Sequence, residues 1–148
     1  MKNNIIKVLI MVALATCLCF TVVYSVDYYT TNYSDSIFRI KLNHNEHRLS
    51  IGAEPFSFSS NLDSYAQNHS ERMLAWRFLY HSNLSYSARY KGENIAYSSI
   101  DDPELVFNNW INSRGHKSNI EFMTYKKIGV GKAGDEKRGY YYCVVFSD

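Results

Sequence analysis

Three side chains in this chain stand out as candidates for chemistry. They are His81 in Tyr80-His-Ser82, Glu93 in Lys91-Gly-Glu-Asn-Ile-Ala96, and His116 in Trp110-Ile-Asn-Ser-Arg-Gly-His-Lys-Ser-Asn-Ile120. Two neutral imidazoles and one carboxylate, with a coordination position left open, make a zinc-type donor set. Calcium asks for more oxygen ligands than these segments offer. The three residues lie on separate segments, so they meet only if the fold brings them to one cleft, which is the expectation. Ser113 adds a second possibility, because Ser113, His116 and Glu93 are the residue types of a serine-hydrolase triad. The Gly-x-Ser-x-Gly elbow is missing, since Ile111 stands two residues before Ser113. A third arrangement uses Glu93 as general base beside a zinc held by His81 and His116. Each residue also has a plainer reading: the histidines as hydrogen-bonded loop residues, Glu93 as an acceptor for backbone amides, Ser113 as a helix-end cap.

The elements that must position these residues follow from periodicity and punctuation. A first helix is expected over about Ser36 to Leu49, with Ile37, Ile40, Leu42 and Leu49 toward the core and Gly52 near its end. His44 and His47 on it read as helix surface or local packing. A second helix is expected from about Asn61 to Arg77, with Ser60 as a cap. Its stripe is Leu62, Ala66, His69, Met73 and Trp76, at steps of four and three. His69 on that stripe reads as a satisfied core histidine. His81 falls just past this helix, and Ala88 to Ser99 reads as a loop or short strand around Gly92. The third helix has a clear start, with Asp102 as cap, Pro103 in the first turn and Glu104 at the positive end of the dipole. Gly115 is read as its stop and Lys117 to Phe122 as a short turn. The end reads as a hairpin: Ile128 to Ala133, a turn over Gly134 to Gly139, and Tyr140 to Phe146. Gly129 and Gly131 would weaken an isolated strand, so they point to another element packed close to its backbone. Helices first and a hairpin last indicate an α+β domain.

The remainder bounds the class of protein. Met1 to Lys7 is short and basic, and Val8 to Val26 is 19 residues without a charge. Residues 1–26 are therefore expected to be a signal peptide or signal anchor, residues 27–35 a polar stalk, and residues 36–148 the exported domain. That places the domain as secreted or membrane-anchored outside the cytoplasm, touching the membrane only through the N-terminal segment. Without Lys2 and Lys7, the 16 basic residues fall to 14, which balance the 14 acidic ones. Nothing in this charge balance suggests a nucleic-acid binder. Cys17 and Cys19 belong to the leader, so Cys143 is alone in the domain. No internal disulfide is expected, and Cys143 reads as a small buried hydrophobe.

Taken in order, these pieces resemble a CAP domain, the superfamily of cysteine-rich secretory proteins, antigen 5 and pathogenesis-related 1, in its short bacterial form without disulfides. The resemblance rests on Asn45-Glu-His-Arg48, on Leu62, Ala66, His69 and Met73, on His81-Ser82 and on Gly92-Glu-Asn-Ile-Ala96. It continues through Trp110 to Ser113, Gly115-His116, Asn119-Ile120 and Gly129-Val-Gly131 with the closing aromatic strand, and it covers roughly Ile37 to Phe146. It implies an α-β-α sandwich, an antiparallel sheet with helices on both faces. It also implies a cleft lined by two histidines and acidic residues, which in several relatives holds a divalent metal, often zinc. Carried over by position, His81, Glu93 and His116 are the metal-ligand candidates. Ser113 stands where many eukaryotic relatives place a second acid, so the usual set of four is incomplete. The function implied is an extracellular binding or effector module whose ligand is a lipid, a cell-wall fragment or a partner protein. The competing readings are a hydrolase and a purely structural surface role.

Overall fold

A computed structural model describes residues 35–83 and 91–148. The expected leader and nearly all of the stalk lie outside the described residues, as does the start of the expected loop or strand at Ala88. Residues 35–148 form one compact unit.

Helix α1 covers 35–50. Its expected core face is only partly right. Ile40 is buried, but Leu49 is 61% exposed. Steps of four from Ile40 lead to His44 and Arg48, and both are wholly buried. Arg48 donates to the carbonyls of Glu54, Ile120 and Phe122, so its buried charge is satisfied by backbone. Helix α2 is Ser60–Trp76, and its cap is Ser59, one residue earlier than expected, because Ser59 Oγ accepts from Leu62 N. Leu62, Ala66, His69 and Met73 are buried as expected, whereas Trp76 is exposed.

Helix α3 is Pro103–Ile111, with Asp102 as the cap. It ends at Asn112, and Ser113 then takes an extended backbone at φ −102° and ψ 118°, so a new helix α4 begins, Arg114–Glu121. Gly115 therefore lies inside the first turn of α4 and does not stop α3. The stretch expected as a short turn is this helix. Only a break at Ser113, which local composition does not announce, separates the two.

The strands are β1 (Ser57–Phe58), β2 (Lys91–Ser98), β3 (Lys127–Asp135) and β4 (Gly139–Ser147), in sheet order β1-β3-β4-β2. β2, β4 and β3 run antiparallel, and the two-residue β1 joins β3 in parallel, which makes the sheet mixed at that edge. β4 explains the layering. Tyr142, Val144 and Phe146 pack with Ile40, Val106, Trp110 and Ile120 from α1, α3 and α4. The alternate residues Tyr141, Cys143 and Val145 pack with Leu62, Ala66 and Met73 of α2. Both sheet faces are thus covered, and the architecture is α+β, an α-β-α sandwich. Gly129 and Gly131 permit it. A Cβ on Gly129 would stand 2.2 Å from the Leu62 backbone, and one on Gly131 2.2 Å from the Gln67 nitrogen. The close approach expected from these glycines is the seat of α2.

Candidate functional site

The site forms along β2, an edge strand of the sheet. Alternation sends Glu93 and Ile95 toward the α2 layer, and Asn94 toward α4. Glu93 is the buried anchor: its side chain is 2% exposed, against 62% for His81. Its Oε1 accepts from His81 Nδ1 at 2.8 Å and from the Ser82 amide at 2.9 Å. Its Oε2 accepts from Ser82 Oγ and, at 3.8 Å, from the Cys143 thiol. A buried carboxylate with this many donors holds the His81-Ser82 segment against the sheet. Burial pushes the Cys143 thiol up, and the Glu93 carboxylate adds to the shift, so the thiol stays protonated and inert.

His116 comes from the other side of the sheet, in the first turn of α4. Ser113, at the cap position, makes no bond to the helix backbone with its side chain; its Oγ lies 2.9 Å from His116 Nδ1 instead. Asn94 Nδ2 donates to the His116 carbonyl, and Asn119 Nδ2 donates to Asn94 Oδ1 and the Glu93 carbonyl. These two asparagines tie α4 to β2. Gly92 leaves room beside them, since a Cβ there would meet the Tyr125 ring at 2.9 Å and Asn119 Oδ1 at 3.0 Å. The His116 imidazole sits below its usual range, mainly from burial and then from the charge of His81.

The fold thus joins His81 to Glu93 directly, and Ser113 to His116 directly. The Asn94–Asn119 bridge links the two pairs. A serine triad is not assembled, because Glu93 bonds His81, and no carboxylate among the described residues bonds His116. Also among the described residues, no three His, Cys, Asp or Glu side chains are grouped to hold one ion. The donor chemistry nonetheless suits a metal at the two imidazoles. Each uses Nδ1 for a protein contact, and Nδ1–H on Glu93 leaves His81 Nε2 with its lone pair. Sequence reasoning gave no role to Ser82, Asn94 or Asn119. The only signal for them was their place beside His81, Glu93 and Ile120 in the quoted motifs.

Comparison with known proteins gives a consistent result. The sequence model of the "Cysteine-rich secretory protein family" matches residues 42–146. The chain is 33% identical to the human Golgi-associated plant pathogenesis-related protein 1 over 105 residues, which is 61% of this chain and 68% of that protein. Among solved structures, an outer surface protein of Borrelia burgdorferi superposes with a TM-score of 0.68 at 18% identity, over 76% of this chain and 91% of that one. An extracellular protein of Bacillus anthracis that contains an SCP domain superposes with a TM-score of 0.67 at 20% identity, over 78% of this chain and 41% of that one. At these identities the structures establish the shared fold.

Proposed function

The chain belongs to the cysteine-rich secretory protein (CAP) family, and from that premise we propose that it is an exported binding module whose cleft takes a divalent cation at His81 and His116. The observation that carries this reading is the Glu93–His81 contact at 2.8 Å. A carboxylate behind a histidine fixes its tautomer and raises the basicity of the opposite nitrogen, as the outer-shell partners of metal-bound histidines do. In this reading Glu93 orients a ligand, and zinc is the ion that suits imidazole donors. A bound zinc would supply a Lewis-acidic point in the cleft for an oxygen of the ligand. The ligand would be a lipid, a cell-wall fragment or a partner protein outside the cytoplasm. The uncharged run Val8–Val26 supports export, and the B. anthracis relative is described as extracellular.

Elemental analysis after equilibration with zinc and removal of excess tests the proposal. The expected result is about one equivalent for the wild type and near none for His81→Ala or His116→Ala. Glu93→Gln is expected to bind roughly 10–100-fold more weakly. Zinc well below one equivalent in the folded wild type would overturn it.

One observation favours a second reading as a hydrolase, the Ser113–His116 contact at 2.9 Å. It lacks the acid that would orient His116. Turnover of an ester substrate that disappears in Ser113→Ala would support this reading. Turnover that survives both that change and chelation would remove the serine and metal mechanisms together.

A further inference from the structure

The C-terminal end of α2 carries a surface that the cleft does not use. Trp76 and Phe78 are 70% and 64% exposed, and Leu79 is exposed beside them. The Trp76 and Phe78 rings each lie nearly parallel to that of Tyr80, with interplanar angles of 19° and 16°. Stacking holds three aromatic rings in one ordered patch. Exposed apolar patches of this kind on soluble domains mark contact surfaces.

Two arginines flank the patch. Arg72 lies one turn before Trp76 on the same helix face. Arg77 follows directly, in the left-handed conformation at φ 52°, where helices ordinarily place glycine. Both are exposed, and neither makes an ion pair or hydrogen bond through its side chain to any described residue. Glu71, next to Arg72 in the chain, keeps its charge while it accepts from Gln67, which leaves two basic side chains against one acidic one over residues 71–79. Unpaired guanidinium groups beside exposed tryptophan, phenylalanine and leucine match a bilayer interface, with rings at headgroup depth and arginines on anionic phosphates.

We propose that Arg72, Trp76, Arg77, Phe78 and Leu79 form a docking surface for an anionic phospholipid bilayer. This surface is distinct from the N-terminal apolar segment and independent of the metal reading. Charge complementarity selects this occupant. If Val8–Val26 anchors the chain, docking becomes intramolecular, and even a weak contact is populated.

The chain has two tryptophans, and Trp110 is buried in the core, so Trp76 reports on this surface alone. The test uses the full chain in vesicles of brominated phosphatidylcholine, with and without phosphatidylserine. The expected result is quenching of Trp76 emission in the anionic vesicles, weakened by added salt and absent in Trp76→Phe. Arg72→Gln and Arg77→Gly should each lower the docked-to-free ratio about five-fold. Glycine suits the left-handed position, so Arg77→Gly keeps the helix end intact; the near-ultraviolet circular dichroism of each variant checks its fold. No quenching, or equal quenching in neutral vesicles with no effect of salt or arginine, would overturn the proposal. So would a Trp76 emission shift on adding soluble saccharide in place of anionic lipid.

Discussion

Buried polar side chains decide much at the residue scale. His44 shows this most clearly. Its Nδ1 bonds the Ile40 carbonyl at 2.7 Å, and its ring packs against Phe107, Trp110 and Phe146. Burial is the main reason its pKa falls to about 4; the Ile40 contact opposes the shift, and His47 adds to it. The unfolded chain would protonate His44 near 6.5, so between 6.5 and 4 the unfolded state binds the extra proton. Stability from this residue is therefore complete above about pH 6.5 and is lost as pH falls through 4, a change of about 3 kcal/mol. Urea unfolding of the wild type at pH 7 and pH 5 should show a clear loss at the lower pH, and His44→Gln should show a smaller one. The shift of His116 has the same sign, so the cleft imidazole stays neutral below the usual histidine range. Neutral imidazole is the form a metal needs.

At the scale of elements, two glycines have opposite meanings. Gly131 lies under α2, and an added Cβ would collide with helix backbone, so the helix would have to move. Gly131→Ala is expected to destabilise the domain by about 3 kcal/mol. Gly115 sits in α4 with nothing within 4 Å of an added Cβ. Gly115→Ala is expected to stabilise by roughly 0.5–1 kcal/mol, since glycine is the poorer helix former. Had Gly115 been a left-handed helix stop, alanine would destabilise. Thermal unfolding of the two variants distinguishes these outcomes. The break at Ser113 also turns the start of α4 so that the His116 carbonyl meets Asn94 of β2.

For the whole molecule, β4 is the shared wall of two cores. Cys143 lies on it, fully buried, opposite Ile95 on one side and Gly131 on the other. Its thiol should be exposed only by opening that separates α2 from the sheet. Labelling with iodoacetamide, located on the Cys143 peptide by mass spectrometry, should be negligible in the native protein. It should rise with urea along the same transition as loss of near-ultraviolet circular dichroism. Labelling well before that transition would mean that the α2 layer opens alone. Among the described residues no helix is long and apolar enough to cross a membrane.

The amino-acid sequence by itself determined the family, the α+β class and most helix starts. Local signals suffice for these: the Asp102-Pro103 cap, the apolar steps along α2, and the glycines that admit it. Leu49 and Trp76 escaped that reasoning, because a stripe says which residues share a face and not where the partner layer ends. The mixed edge of the sheet was hidden for a related reason: two residues of β1 pair with a strand some seventy positions later, and nothing local records the pairing. The pairing of polar groups in the cleft was equally out of reach. The resemblance to a CAP domain pointed to His81, Glu93 and His116, but only the fold chose Glu93 for His81 and Ser113 for His116. Strand alternation and the turn of α4 make that choice, and both depend on contacts between distant segments.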